Sequence, residues 1–445
     1  MIAVLLAPLT LGVPAASAST SKAKEPEFWY TRPLEVASTQ PTPLKSPPEP
    51  QARPKAASLQ EVQRSTREHS YEVDAANPKS EPGVTAAADP LADCAKQKVS
   101  NPQHGLVQSH FLFCTKGNSE VIHQTGKKIT GGIHYHITVV GTGRNGKREI
   151  DFQMKLVDIV PWGDVEKLNI HLQFYIYCGP LRSNDAGCKE GFSPTAMKRV
   201  STWQHSPYDS LMKMTSPSNV GQGPEKVNFT RWQLLLKSPE IVVINHVPLI
   251  DQSARFDSAS YLPKKIGAVF NQVTPHLLFR RAARYGVPET ANHLWRACNQ
   301  PASTIPTIKN KRIPGCKNED PLHRLYHPQK KKVKVGKQTL IYDRYERNRA
   351  MSIRTCRAKW PGYPDHGNDC DEFPFASTYE GADAPGWDRN AVPGRYSVYP
   401  VKAADNQKGG NMISVWYGQD RILDWSGKDP VSGTTWRDPF VIWVR

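Results

Sequence analysis

Residues 167–178, KLNIHLQFYIYC, carry an apolar side chain at every second position. The alternating positions are Leu168, Ile170, Leu172, Phe174 and Ile176. A period of two is typical of a β-strand with one buried face, because successive side chains of a strand point to opposite sides of the sheet. The stretch therefore predicts a strand that covers a hydrophobic core.

Two further stretches share this alternation, IHYHITVV at 133–140 and IDFQMKLV at 150–157, and the glycine-rich GTGRNG at 141–146 separates them. Short alternating strands joined by glycine-rich turns are typical of two packed antiparallel sheets. We therefore predict a mostly-β, sandwich-like accessory domain over residues 94–275. At its end, residues 261–286 have apolar side chains at mixed helical spacing, and we expect one or two short helices there.

The chain is 445 residues long, enough for two or three folded units. Its first 18 residues are apolar and end in AASA, the small-residue pattern that signal peptidases cleave. We expect a signal peptide over 1–18, and hence a secreted, extracellular protein with no internal transmembrane segment. Residues 19–93 are rich in proline and are predicted to form a disordered linker. Residues 276–445 are predicted to form a second domain.

The cysteines are even in number and fall into pairs of sequence neighbours. This pattern is typical of disulfides that form in an oxidising compartment. Zinc binding is the alternative, although no pair has the two-residue spacing of zinc ribbons. The eight residues are Cys94, Cys114, Cys178, Cys188, Cys298, Cys316, Cys356 and Cys370.

The chain is strongly basic, with 58 Lys and Arg, 41 Asp and Glu and a formal charge of +17. This excess favours polyanionic partners such as nucleic acid or anionic envelope polymers. It is concentrated from residue 280 onward, where 28 basic residues outnumber 17 acidic ones. We predict that basic side chains of this region contact DNA phosphates, with a solvated surface as the alternative. These side chains are Lys330, Lys331, Lys332, Arg354 and Arg357.

Carboxylates cluster in CDEFPFASTYEGA at 370–382 and again near DNQKGG at 405–410. The first stretch begins a short apolar strand, RYSVYPV at 395–401 predicts a second strand, and the apolar residues after 410 predict a helix. Oxygen ligands at the junctions of two strands and a helix could hold a hard divalent cation such as Mg²⁺. From spacing alone, acids that form turns and helix caps are an equal alternative. The polar side chains concerned are Asp371, Glu372, Glu380, Asp405 and Asn406.

These motifs, together with a final DPFVIWV at 438–444, resemble the NucA/NucB family of secreted and DNA-entry deoxyribonucleases. The resemblance covers about residues 356–445 and the preceding PLHRL at 321–325. It implies a fold similar to ββα-metal nucleases, with an aspartate in place of the histidine base of related enzymes. The whole chain is thus predicted to be α+β, with a ββα-metal-like nuclease domain after the mostly-β domain.

The resemblance also implies catalytic roles. Asp371 would be the general base that activates water, and Glu372 an acidic group at or near the metal. Asn406 would bind the metal or orient its water, and Arg421 would contact the scissile phosphate.

A metal site is implied as well, with Glu380, Asp405 and Asn406 as the ligands. The expected cofactor is Mg²⁺ or Mn²⁺, with Ca²⁺ as a further candidate. A disulfide between Cys356 and Cys370 is expected to tie the motif strand to the preceding basic segment.

The predicted function is hydrolysis of DNA phosphodiester bonds by a secreted, metal-dependent endonuclease. Hydrolysis needs a deprotonated water and positive charge near the phosphate oxygens, and a carboxylate with one cation supplies both. The alternatives are a non-catalytic extracellular protein that binds DNA or the envelope, and an exported nuclease toxin whose partner would be an immunity protein. The sequence leaves open the choice between DNA and RNA and between single and double strands.

Overall fold

The computed structural model describes residues 26–36, 70–77, 89–181, 185–191, 197–245, 248–326, 330–335, 338–424, 426–428 and 435–445. The predicted signal peptide and most of the predicted linker lie outside these ranges. Within them, no helix combines the length and the apolar character needed to cross a membrane.

Strands dominate the described residues before position 280. In chain order they are β1 (Glu27–Thr31), β2 (Ser70–Asp74), β3 (Leu106–Ser109), β4 (Leu112–Thr125), β5 (Lys128–Gly143), β6 (Glu149–Gly163), β7 (His171–Pro180), β8 (Lys189–Gly191), β9 (Met197–Arg199), β10 (Tyr208–Thr215), β11 (Asn228–Lys237), β12 (Val243–Asn245), β13 (Ile250–Asp257), β14 (Gly267–Val269) and β15 (Thr274–Phe279). The α-helices in this part are α1 (Pro90–Lys96) and α2 (Val200–His205).

Two of the sheets pack face to face as a β-sandwich. The first has the order β12-β1-β4-β5-β6-β10-β8, with β3 paired to β4, and the second has the order β14-β13-β11-β7-β9. Side chains of both sheets form one hydrophobic core. Within it, Trp232 of the second sheet packs on Phe113 and Phe152 of the first, at ring-centroid distances of 5.1 and 4.6 Å. The prediction of a mostly-β region before the C-terminal domain is confirmed.

The alternating stretches form β5, β6 and β7, but β7 begins at His171, after a turn at 164–167. Leu168 was expected in the core and is 41% exposed, because it follows this turn and precedes the strand. Of the one or two short helices expected within 261–286, the structure has one three-residue 3-10 helix, Ala283–Tyr285, and the rest of the regular structure there is β14 and β15. β15 is buried at every position, and a strand buried on both faces has no alternating pattern.

The described residues after position 280 contain longer helices and short strands. The helices are α3 (Pro288–Asn299), α4 (Arg344–Lys359) and α5 (Ala403–Gln419). The strands are β16 (Leu322–His323), β17 (Lys330–Val335), β18 (Gln338–Asp343), β19 (Asn368–Phe373), β20 (Ser397–Lys402), β21 (Ser426–Lys428), β22 (Thr435–Arg437) and β23 (Pro439–Val444). β17 pairs with β18, β19 with β20, and β21 with β22.

A third sheet, with the order β16-β23-β15-β2, joins distant parts of the chain. β15 is parallel to β2 on one side and to β23 on the other. Both β2 and β1 fall in the region predicted as a linker, and β1 pairs with β4 of the sandwich. The prediction of disorder over 19–93 is therefore wrong for these two strands. Their apolar side chains, such as Trp29 and Val73, are buried in the two cores and stabilise the ordered state.

A second hydrophobic core forms where α3 and α5 pack with the third sheet. Leu294 of α3, Trp416 of α5 and Phe440 of β23 are fully buried in it. The first core ends at Val273 along the chain. Strand β2, far upstream, contributes Val73 to the second core, so the C-terminal unit is not one continuous segment.

Four disulfides link the cysteines in sequence-neighbour pairs, and no described cysteine is free. The pairs are Cys94–Cys114, Cys178–Cys188, Cys298–Cys316 and Cys356–Cys370. The disulfide prediction is confirmed. The last pair joins α4 to β19, as expected for the start of the acidic motif.

Candidate active site

A cavity of about 510 Å³, here called the first cavity, lies where β19, α5 and the start of α4 meet. Its walls carry acidic, amide, basic and aromatic side chains, among them Asp371, Glu372, Asn406, Arg324, Tyr345 and Tyr417. Three of these, the two acids and the amide, are residues that the motifs predict for the site. The structure therefore brings part of the predicted set together.

The local chain path explains this placement. β19 and β20 are antiparallel, with Asp371 opposite Tyr399 and Glu372 opposite Val398. α5 begins at Ala403, directly after β20 ends. Two strands followed at once by a helix therefore bring the first turn of α5, which contains Asn406, to the acids of β19.

The Asp371 carboxylate is held by a buried histidine. Its Oδ2 lies 2.8 Å from Nδ1 of His293, and the other ring nitrogen, Nε2, lies 2.7 Å from Oγ of Ser397. A neutral imidazole protonated on Nδ1 satisfies both contacts, since it donates to Asp371 and accepts from the serine hydroxyl. The chain Ser397–His293–Asp371 thus orients the carboxylate at the wall of the cavity.

The motifs do not include His293. It lies on the buried face of α3 together with Ala291, Leu294 and Ala297. Helical spacing alone would have placed this histidine among apolar side chains. Its partner, however, is 78 residues away in the sequence, and no local pattern connects the two.

Glu372 is a largely buried acid with one ionic partner. Its carboxylate forms an ion pair with Arg349 of α4, which also donates to the backbone carbonyl of Cys370. Burial raises the pKa of Glu372 to about 7, the Arg349 charge opposes this, and the neighbouring Asp371 adds to it. Burial thus favours the protonated form of Glu372, and the Arg349 charge favours the ionised form.

Asn406 lies on α5 close to two glycines, which carry no side chain. Gly409 and Gly410 line the first cavity with it, and a Cβ added at Gly410 would meet only open space. The half-buried Asn406 side chain lies in the lining of the first cavity beside these glycines.

The oxygen atoms of Asp371, Glu372 and Asn406 are the donors that a cation could use here. Among the residues that the structure describes, no group of three or more His, Cys, Asp or Glu side chains could hold a metal. Two carboxylates and an amide nevertheless fit Mg²⁺, which usually takes one or two protein carboxylates and completes its shell with water and substrate phosphates. The donor set suits a hard divalent cation and not zinc.

Two predicted metal ligands lie elsewhere. Glu380 accepts hydrogen bonds from the ring and backbone N–H groups of His323, at 2.8 and 3.0 Å, and lines a separate cavity. Asp405 accepts from the backbone N–H groups of Glu289 and Thr290, at 2.9 and 3.1 Å. It thereby caps α3, whose own N-cap residue makes no side-chain bond. Neither carboxylate lines the first cavity with Asn406, because both have partners elsewhere, so the structure does not bring the three predicted ligands together there.

Arg421 also departs from its predicted role. Its side chain is fully buried, forms an ion pair with Asp257 of the sandwich, and donates to Asn145 Oδ1 at 2.7 Å. It also donates to the backbone carbonyls of Lys264 and Ile266. The structure does not place Arg421 at the first cavity for the predicted contact with a scissile phosphate, because all three guanidinium nitrogens are used to join the two units.

Arg324 is a basic residue of the first cavity that the motif analysis did not single out. Its guanidinium lies 4.7 Å from the Tyr417 ring and 5.2 Å from the Tyr326 ring, and it donates to the carbonyl of Ile422. It contributes positive charge to a wall that otherwise carries two acids. The PLHRL element at 321–325 contains it, but nothing in that short motif indicates its burial.

The predicted DNA-contacting residues lie on the surface of the C-terminal unit. Lys330 and Lys332 are exposed on β17, and Arg354 and Arg357 are exposed on α4. The side chain of Lys331 lies outside the described part of the structure. The exposed positions are free to meet a polyanion, and their role in binding stays a prediction.

Comparison with known proteins gives one match. No curated protein and no solved structure matches the chain significantly. Residues 326–424 match a family model and so contain α4, β19, β20, α5 and most of the first cavity. The final DPFVIWV, included in the expected resemblance, lies outside the matched residues. The matched model is that of deoxyribonuclease NucA/NucB, which confirms that the C-terminal region is similar to the family that the motifs predict.

Proposed function

We propose that the protein is a secreted, metal-dependent endonuclease that hydrolyses DNA in the first cavity. The observation that carries this proposal is the convergence of Asp371, Glu372 and Asn406 on one cavity within the residues similar to deoxyribonucleases. The antiparallel pair β19–β20 followed by α5 is also the element order expected of a ββα-metal nuclease.

Asp371 is the proposed general base. Phosphodiester hydrolysis requires that a water molecule lose a proton as it attacks phosphorus, and a carboxylate within reach can accept that proton. His293 donates to one oxygen of Asp371, which leaves the other oxygen available for water. The buried imidazole thus keeps the carboxylate in one orientation and need not touch the substrate.

Glu372 and Asn406 are the residues proposed to hold the divalent cation. Bound there, the cation would neutralise negative charge that builds up on the phosphate oxygens. Arg349 keeps Glu372 oriented through its ion pair, and Arg324 adds a fixed positive charge to the same wall. The charge of Arg324 favours an anionic substrate over a neutral one.

Export is the proposed location for this activity. Four disulfides support it, because such bonds form and persist in oxidising compartments. The apolar N-terminal segment with its AASA site supplies the proposed signal.

A plasmid-nicking assay of the full-length protein tests the proposed function. We expect conversion of supercoiled DNA to nicked and linear forms with Mg²⁺ or Mn²⁺, and none in excess EDTA. Glu372→Gln should need a higher Mg²⁺ concentration than the wild type, because an amide oxygen is a weaker ligand than a carboxylate. Cleavage that persists in EDTA would contradict the metal requirement, and binding of DNA without cleavage would favour a non-catalytic role.

A further inference from the structure

A second cavity, of about 600 Å³, adjoins the first. Residues that are neighbours in the sequence line both cavities. Ser377 lines the first cavity, whereas Tyr379 and Glu380 line the second. At the start of α4, Tyr345 faces the first cavity and the preceding residue, Arg344, lines the second. Consecutive Cα atoms are only about 3.8 Å apart, so the linings of the two cavities approach each other along both stretches of chain.

The second cavity is rich in positive charge. Its arginines are Arg344, Arg389, Arg395 and Arg437, and its acids are Asp320, Glu380 and Asp388. Two of the acids are already engaged, Asp320 by Arg395 and Glu380 by His323. Arg389 is exposed at the cavity, and no hydrogen bond or ion pair joins it to another described residue. Four arginines against three acids leave the lining of the second cavity with a net positive charge.

Two of these arginines have buried donors without an acceptor. Arg344 is only 7% exposed, and its Nε–H finds no partner within the described residues. The Nε–H of Arg437 is likewise buried and without an acceptor there. The Arg437 guanidinium lies over the Tyr379 ring, 4.0 Å from its centroid, which keeps it at the wall. A buried donor without an acceptor costs free energy, and an anion in the cavity would remove that cost.

We propose that the second cavity binds a backbone phosphate of the DNA strand whose scissile bond occupies the first cavity. Arg344 and Arg437 donate to the phosphate oxygens, and Arg389 adds charge at the rim. This inference rests on the proposed function, because it assigns both cavities to one strand. Strand geometry suits it, since successive nucleotides of a duplex advance about 3.4 Å along the axis, close to the spacing of the consecutive residues Arg344 and Tyr345 in the two linings.

The binding test uses fluorescence anisotropy of the full-length protein with a labelled single-stranded oligonucleotide of about 12 nucleotides, in EDTA to prevent turnover. Arg437→Gln should weaken binding about tenfold, since it removes a charge-assisted hydrogen bond. It should also reduce the slope of log K against log salt by about 0.7, the value for one phosphate contact on a single strand. Arg389→Gln, at the exposed rim, should shift both quantities in the same direction with little risk to the fold.

The matched control is Arg199→Gln, which removes one exposed arginine from β9 of the sandwich and changes the net charge equally. It should leave affinity and salt slope near the wild-type values. Wild-type affinity in both Arg437→Gln and Arg389→Gln would overturn the proposal. The proposal is also overturned if Arg437→Gln and Arg389→Gln weaken binding only as much as Arg199→Gln does, because the effect would then reflect net charge alone.

Two further arms identify the source of the phosphate and separate the inference from the proposed function. If inorganic phosphate protects the wild type from thermal unfolding but does not protect Arg437→Gln, while oligonucleotide affinity is unchanged, the cavity binds free phosphate and the DNA assignment is wrong.

For hydrolysis, the ratio of kcat/KM on the oligonucleotide to that on bis(4-nitrophenyl) phosphate should fall about tenfold in Arg437→Gln. A wild type that cleaves neither substrate contradicts the proposed function. The anisotropy measurement would still test whether the second cavity binds DNA.

Discussion

His293 and Asp371 are joined in the interior of the C-terminal unit, with Nδ1 of the imidazole 2.8 Å from Oδ2 of the carboxylate. His293 belongs to α3 and Asp371 to β19, so the contact fixes a helix that precedes the matched family segment against the proposed catalytic strand. The proposed base therefore depends on residues outside that segment for its orientation.

His293→Ala should lower kcat about tenfold or more and leave KM nearly unchanged, because partners that orient a functional group typically contribute 10- to 100-fold. His293→Asn should recover much of the activity, since its amide N–H can occupy the position of the Nδ1–H. Steady-state kinetics on DNA with Mg²⁺ checks this. An equal fall in kcat in the two variants, or a change confined to KM, would argue against an orienting role.

Asp405→Ala should reduce the free energy of unfolding by about 1 kcal/mol, the usual effect of losing a helix cap. The Mg²⁺ concentration needed for half-maximal activity should not change, because Asp405 bonds to the backbone of α3 and does not line the first cavity. Urea denaturation and a Mg²⁺ titration measure the two quantities. A large rise in the Mg²⁺ requirement at unchanged stability would restore Asp405 as a metal ligand.

Arg421→Met should destabilise the protein by about 3 kcal/mol or more, because it leaves the buried Asp257 without its main partner. The double variant Arg421→Met with Asp257→Leu should lose less, since no unpaired charge is left behind. Denaturation of the three proteins checks the order. Normal stability combined with lost cleavage in Arg421→Met would instead support a phosphate contact.

The stability of the protein should depend on pH through Asp420. Burial raises the pKa of this carboxyl to about 6, against its hydrogen bond from Tyr71 and the nearby charges of His110 and Arg255. In the unfolded chain the pKa is about 4, so the folded state binds the proton more tightly between these values. The stabilisation that comes from protonated Asp420 is complete below about pH 4 and is lost as the pH rises through about 6.

Asp420→Asn is the variant that isolates this titration. The free energy of unfolding of the wild type minus that of the variant should fall between about pH 4 and 6 and level off above. Urea denaturation across this range measures the difference. A difference that is constant with pH would show that Asp420 does not titrate there.

Features encoded within a short stretch could be predicted from the sequence. Alternation revealed β5 and β6, the even number of cysteines and their neighbour pairs revealed the disulfides, and the acidic motif led to Asp371, Glu372 and Asn406. β15 was missed because a strand buried on both faces has no period of two. β1 and β2 were missed because each is short and surrounded by proline-rich sequence.

Features that depend on distant contacts could not be predicted. Asp405 was predicted to be a metal ligand with its neighbour Asn406, yet its partners are backbone groups 115 and 116 residues away. Arg421 lies in the matched segment but bonds to Asp257, 164 residues upstream. An isolated motif gives the chemical type of each side chain and not its partner, so it could not predict that these two residues lie away from the lining of the first cavity.

The most direct test of the account is cleavage by Asp371→Asn at saturating Mg²⁺, compared with the wild type under single-turnover conditions. Asparagine is close in shape but cannot accept a proton from water, so the rate should fall about 100-fold or more. Circular dichroism and DNA affinity should stay near the wild-type values. A folded Asp371→Asn protein that cleaves DNA at close to the wild-type rate would contradict the assignment of Asp371 as the base.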